Sequence, residues 1–304
     1  MIGPNTFIIG APKCGTTSLA RYLGEHPNVF FCTPKEPFFW CSDFKKSKHE
    51  IKIDSLEEYL DLFNDADPSV HAVIAEGSTR YLQSKVAVKR ILEYNPAAKF
   101  IVMARNPIEL ASAYHMEQRY SMHEDVDSFE TAWRLQEARA GGAKIPKGCL
   151  EPEFLQYSKV ASVGQQVDRI LDEIPSGQLL ILVMDDLKSD PRSVYLEALK
   201  FLELPDDGRC DFAVANASHG HRFAWIAKLV LTPPQVLEVP MLAIRKHLWR
   251  KKYSLIERFK SFLNRKDKRE EISEEFREEL SNHFRDDVEI LSKAVSRDLR
   301  HWLV

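Results

Sequence analysis

The chain reads as an α/β protein: a P-loop-like, doubly wound, mostly parallel sheet flanked by helices, with a helical C-terminal extension. Three observations predict this. Short apolar runs at 6–9, 73–75, 100–104 and 179–184 suit strands covered on both faces. Segments with helical spacing separate them, and alternation of the two periods is the mark of a doubly wound sheet. The first run passes directly into a glycine-flanked turn that opens a helix, Gly10-Ala-Pro-Lys13-Cys14-Gly15-Thr16-Thr17-Ser18.

The elements follow in order. After the strand at 6–9, Leu19, Tyr22 and Leu23 set an apolar stripe for a helix over 18–25. Helical patterns recur at 56–63, 86–93, 108–120, 129–140, 163–174 and 193–202. Asn106 suits the N-cap of the helix at 108, and Pro107 its first position. Beyond residue 205 the pattern becomes irregular, with Pro233-Pro234 and Pro240 as breakers. The last helix spans 273–294, where Phe276, Leu280, Phe284, Val288 and Leu291 form one stripe that docks on a core. One domain over 1–304 is expected, with a core of about 1–205 and a helical, partly basic region of about 206–304.

Composition narrows the class. The 304 residues are 44% hydrophobic and 29% charged, as in a well-cored folded protein. A net charge of -3 is too mild for a nucleic-acid binder. No apolar run approaches the length of a membrane span. The first strand begins so early that a signal peptide has no room. Five scattered cysteines without C-x-x-C spacing argue against a zinc site or disulfide framework and fit a reducing cytoplasm. The basic stretch 245–269 reads as a solvated helical face, and leaves open a surface for an anionic substrate or a peripheral membrane contact.

Three stretches carry chemistry. The turn at 10–18 has the frame of a phosphate cradle, in which free N–H groups at a helix start face an anion. It departs from G-x-x-x-x-G-K-[ST] in one respect: Thr16 stands where Lys is expected, and a lysine, Lys13, sits two residues before the second glycine. The second stretch is the strand ending in Arg105, whose guanidinium at a helix start favours a phosphate; Ser112 adds a hydroxyl farther along. The third is Thr33-Pro34-Lys35-Glu36-Pro37-Phe38-Phe39-Trp40. Its prolines stiffen the turn, and a carboxylate set beside aromatic surface is suited to general-base work. Strand ends at Glu76, Arg105 and Asp185 bring further polar groups to the edge where α/β folds bind ligands.

Together and in this order, these stretches resemble the sulfotransferases that use 3′-phosphoadenosine 5′-phosphosulfate (PAPS), in particular bacterial enzymes similar to the heparan-sulfate and carbohydrate types. Pro12–Ser18 is similar to the family's 5′-phosphosulfate loop. Arg105-Asn-Pro with Ser112 and Tyr114 is similar to its 3′-phosphate motif, and Lys35-Glu-Pro-Phe-Phe-Trp40 to its K-E-P-H-F-F segment. Glu76-Gly-Ser-Thr-Arg-Tyr81 is similar to E-K-T-P-x-Y. The stretch Leu180–Leu187, then Asp190-Pro191 and Phe201-Leu-Glu-Leu204, resembles the region ending in F-L-G-L. The segments Phe284–Leu291 and Asp298–Trp302 resemble the C-terminal helix and tail.

The resemblance implies sulfuryl transfer from PAPS to an acceptor hydroxyl on a carbohydrate, lipid or small natural product, with adenosine 3′,5′-bisphosphate as product and no metal. It implies Glu36 as general base and Lys13 as the cation meeting the leaving oxygen. Lys13, Cys14, Gly15, Thr16, Thr17, Ser18, Arg105, Ser112 and Arg222 become cofactor contacts, and the backbone N–H groups of residues 15–18 hold the 5′-phosphate. Lys35, Tyr81, His115 and Arg119 become acceptor-side candidates, the last two expected to face out from the helix past Arg105. Two departures stand out. Phe38 replaces a histidine two residues after the glutamate, and Cys41 replaces an aspartate, with Asp43 nearby. Two other readings compete. A P-loop kinase or NTPase would use Asp185 and Asp186 as Walker B acids but lacks the lysine at position 16. A binding module with a degenerate site would have no need of Lys13, Glu36, Arg105 and Ser112 together.

Overall fold

A computed structural model describes residues 2–44, 53–149, 151–213, 219–221, 264–266 and 270–304. Five strands form one parallel sheet: β1 (Thr6–Gly10), β2 (Val29–Phe31), β3 (Val73–Gly77), β4 (Lys99–Ala104) and β5 (Leu179–Val183), in the spatial order β2-β3-β1-β4-β5. Every residue of β1 and β3 is buried, as expected of central strands covered on both faces. The sheet grows outward from β1 in both directions, so its ligand crevice opens at the carboxyl ends of the central strands.

The helices are α1 (Thr16–Gly24), α2 (Leu56–Leu60), α3 (Ala87–Tyr94), α4 (Pro107–Tyr120), α5 (Phe129–Arg134), α6 (Gln136–Ala140), α7 (Tyr157–Ala161), α8 (Val163–Leu171), α9 (Met184–Ser189), α10 (Pro191–Phe201) and α11 (Glu274–Ala294). A small antiparallel pair, His219–His221 with Asn264–Lys266, lies apart from the main sheet. The basic segment 245–269 falls almost wholly outside the described residues, as does Arg222.

Most elements lie where their periodicity puts them, and the departures are local. The segment 29–31 forms an edge strand of three residues, too short to show a period. The helix expected over 129–140 breaks at Leu135 into α5 and α6. Met184 opens α9 instead of closing β5. Asn106 caps α4 as expected, its side chain accepting the N–H of Ile108 at 2.9 Å, with Pro107 in the first turn.

The apolar stripe of α11 is buried throughout. Asp287 on this helix accepts the N–H groups of Gly164 and Gln165 at the start of α8, at 3.1 and 2.8 Å. The tail beyond α11 then reaches back to the sheet edge. The Trp302 indole N–H donates to Asp185 at 2.7 Å, and its carbonyl accepts the Asn106 amide at 2.9 Å. Arg297 pairs with Asp186 at 2.6 Å. The two acids at the start of α9 thus bind the tail.

Candidate active site

A cavity of about 640 Å³ opens at the carboxyl edge of the sheet. It takes residues from the end of every strand: Lys13 and Gly15 after β1, Lys35 and Glu36 after β2, Thr79 and Arg80 after β3, Arg105 after β4, Met184 and Lys188 after β5.

The cradle follows from its glycine. Gly15 is the N-cap of α1 with φ 86°, and no side chain caps the helix. A Cβ there would also meet Leu187 Cδ2 at 2.8 Å. The N–H groups of Gly15, Thr16 and Thr17 thus begin a helix whose dipole favours an anion. The Ser18 N–H is already given to the Gly15 carbonyl at 3.0 Å, so the cradle is one donor smaller than expected, although Ser18 lines the cavity. Cys14 is buried and donates its thiol to the Pro12 carbonyl at 3.3 Å. Burial pushes that thiol up to about 12 against the pull of Arg105, Lys13 and Lys188, so it stays protonated.

Lys13 faces the cavity, with its ammonium 3.9 Å from Glu117. Its carbonyl accepts Arg105 Nη1 at 2.9 Å, which fastens the cradle to the end of β4. Arg105 is only 3% exposed, and its Nε and Nη2 donate to Glu109. Lys188 approaches Glu109 at 3.6 Å, so this carboxylate lies against both cations. A fork of donors held by a carboxylate can exchange it for a phosphate.

On the opposite wall, Glu36 accepts from Lys35 Nζ at 3.0 Å and from the Thr79 hydroxyl at 3.1 Å. Its backbone is left-handed (φ 68°), and so is that of Phe38 (φ 50°). Lys35 lies over Gly77, where a Cβ would come within 3.2 Å of its Cε. Arg80 sits between the rings of Phe38 and Phe154, at 4.1 and 4.4 Å from their centroids. Tyr114, Glu117, Gln118 and Ser121 complete the wall, an i, i+3, i+4, i+7 stripe running down α4 and its C-cap. Desolvation holds the Glu117 carboxyl above its ordinary range; Lys13 opposes this and Glu36 adds to it.

That stripe corrects two expectations. His115 and Arg119 lie off the cavity-facing side of α4, because each residue turns about 100° from the last. His115 is buried against Phe129 and Tyr157 and donates Nε2–H to the Val126 carbonyl at 3.0 Å; burial lowers its pKa. Arg119 pairs with Asp127 instead of lining the cavity. Tyr81 is fully buried, and its hydroxyl accepts the N–H groups of Phe39 and Trp40, so it supports a loop where an acceptor contact was expected. Ser112 is buried on α4 and does not line the cavity. Asp43 accepts from the Ser84 hydroxyl and the Lys85 N–H at the approach to α3, away from Glu36. Thr79, Arg80, Glu117 and Lys188 went unassigned in the sequence. The helical period from Tyr114 was the signal for Glu117.

An uncapped helix start with Lys13 beside it, a buried arginine fork and a carboxylate thus share one cavity. A family model described as the sulfotransferase domain matches residues 3–221, and the chain belongs to this family. Human bifunctional heparan sulfate N-deacetylase/N-sulfotransferase 3 is 28% identical over 207 residues, covering 66% of this chain and 22% of its own length. The Caenorhabditis elegans bifunctional heparan sulfate N-deacetylase/N-sulfotransferase 1 is 28% identical over 211 residues, covering 67% of this chain and 22% of its own. The chain thus spans about a fifth of the length of these relatives. The crystal structure of a sulfotransferase from Alicyclobacillus acidocaldarius shares the fold, with a TM-score of 0.71, 24% identity and 99% coverage of both chains. Among the described residues, no helix is long and apolar enough to cross a membrane.

Proposed function

We propose that this chain moves a sulfuryl group from PAPS to an acceptor hydroxyl or amine, with adenosine 3′,5′-bisphosphate as product. The observation that carries this reading is that Lys13, Arg105 and Glu36 share one cavity, with the Lys13 carbonyl bonded to Arg105. The residues present fit such a donor: an uncapped helix start at Gly15, a buried guanidinium beside it, and an apolar wall of Tyr22, Met184, Leu187, Pro191 and Phe212 suited to a purine. When bound, PAPS supplies the sulfuryl group.

The N–H groups of Gly15, Thr16 and Thr17 hold the 5′-phosphate end. Arg105 gives up Glu109 and takes the 3′-phosphate, the group that separates this donor from ATP. Lys13 offsets the negative charge that gathers on the departing oxygen. Glu36 takes the acceptor's proton, with Lys35 and Thr79 keeping its carboxylate in place. Asp185 and Asp186, the acids that a kinase reading would give to a metal, are occupied by Trp302 and Arg297.

The acceptor approaches between Phe38, Arg80 and Phe154. The Lys35-Glu36-Pro37 segment favours a hydroxyl. The relatives named as N-sulfotransferases favour an amine, and a carboxylate base serves either. Thermal shift with adenosine 3′,5′-bisphosphate against Mg-ATP tests the donor site. Saturation at about 100 Kd adds about 2.7 kcal/mol of stability, and preference for Mg-ATP would reject the assignment.

A further inference from the structure

Glu76, on β3, takes no part in the chemistry above. It is fully buried, and among the described residues no hydrogen bond of ordinary geometry ends on either carboxyl oxygen. A buried carboxyl without partners is costly, so its surroundings should explain it. Desolvation raises its pKa to about 8, while the Tyr81 hydroxyl, the Lys35 ammonium and the Tyr59 hydroxyl pull it back.

The chain just after Glu76 is a template for the loop that carries Glu36. The Gly77 carbonyl accepts the Glu36 N–H at 3.0 Å. The Ser78 hydroxyl accepts the Phe38 N–H at 3.2 Å. The Thr79 hydroxyl donates to the Glu36 carboxylate at 3.1 Å. The Tyr81 hydroxyl accepts from Phe39 and Trp40 at 3.0 and 3.3 Å. From another element, the Tyr59 hydroxyl accepts the Trp40 indole N–H at 3.0 Å. Such a framework is needed, because two non-glycine residues of the loop are left-handed and this conformation persists only where its surroundings impose it.

A phenol offers one proton and two acceptor lone pairs. Two N–H groups of the loop fill the acceptor side of Tyr81, so its proton must go elsewhere. The Ser78 hydroxyl, which receives the Phe38 N–H, keeps a second lone pair and is a competing acceptor that the variants below separate from Glu76. The buried carboxyl of Glu76 retains an acceptor oxygen in either protonation state. We propose that Glu76 is a positioning residue: its carboxyl is the acceptor toward which the hydroxyls of Tyr81 and Tyr59 donate, which turns their lone pairs toward the 36–40 loop and so fixes Glu36 at the cavity wall. This rests on Glu36 being the base.

The test compares Glu76→Leu, which removes the acceptor, with Glu76→Gln, which keeps one carbonyl oxygen. Amide exchange at Phe38, Phe39 and Trp40 should quicken about tenfold or more in Glu76→Leu and return toward wild type in Glu76→Gln. With radiolabelled PAPS and de-N-sulfated heparin as the acceptor probe, kcat should fall in the same order while the Kd for adenosine 3′,5′-bisphosphate holds. In a Glu36→Gln background, Glu76→Leu should cost no further rate. Wild-type exchange in Glu76→Leu, or bisphosphate affinity lost in proportion to kcat, overturns the proposal. Should Glu76→Leu fail to fold, Tyr81→Phe carries the same readouts, and unchanged exchange at Phe39 and Trp40 overturns it there. Full turnover in Glu36→Gln alone would remove the base and leave the exchange result to judge the template by itself.

Discussion

Replacing Glu76 by glutamine should change how stability depends on pH. The carboxyl has a pKa of about 8 in the folded protein against an ordinary 4.5, because burial outweighs Tyr81, Lys35 and Tyr59, with Glu36 adding to the rise. The folded state therefore binds this proton more tightly than the unfolded chain. Its contribution is whole below about pH 4.5 and is lost as pH rises to about 8. Between pH 5 and 7.5, the two titration curves make the wild type lose about 3 kcal/mol that a glutamine cannot lose. Other titrating groups, such as Glu117 and Asp287, are common to both proteins and cancel in the difference. Urea unfolding of both proteins across this range gives the difference directly. The glutamine variant should gain on the wild type by that amount as pH rises. A flat difference would mean that Glu76 is solvated or held by an ion pair in the folded state, and the buried-acid argument would fail.

Two further outcomes are expected. Lys13→Ala should lower kcat by about 10²-fold or more while weakening bisphosphate binding much less, because its ammonium acts mainly on charge that develops during transfer; equal losses in single-turnover rate and Kd would make it a binding residue only. Trp302→Phe removes the N–H donor to Asp185 and should cost about 1–2 kcal/mol in denaturant unfolding, and an unchanged midpoint would show that the tail is not held by this bond.

The resemblance pointed to the family from a few stretches because helix starts and caps are local. Gly15 at a left-handed N-cap, Asn106 capping α4 and Pro107 behind it are each written within a few consecutive residues. The placement of His115 and Arg119 was not legible, since two helix faces are open to polar residues and only packing chooses between them. His115 went inward against Phe129 and Tyr157, and the cavity took Tyr114, Glu117 and Gln118. Tyr81 became an acceptor candidate through the resemblance of Glu76–Tyr81 to E-K-T-P-x-Y. Its partners, Phe39 and Trp40, lie some forty residues earlier in the chain, at separations of 42 and 41.

By itself, the order of residues determined a parallel α/β sheet, a glycine-flanked turn opening a helix after the first strand, and a lysine at position 13 where the P-loop pattern has none. These depend on spacing within single turns of chain, where periodicity and backbone preference act directly. Only the tertiary structure decided that five strand ends share one cavity, that Asp185 and Asp186 bind the C-terminal tail, and that Glu36 stands on a scaffold of Gly77, Ser78, Thr79 and Tyr81. Those relations join residues far apart in sequence, and long-range packing and hydrogen bonding select among faces that local preference leaves equal.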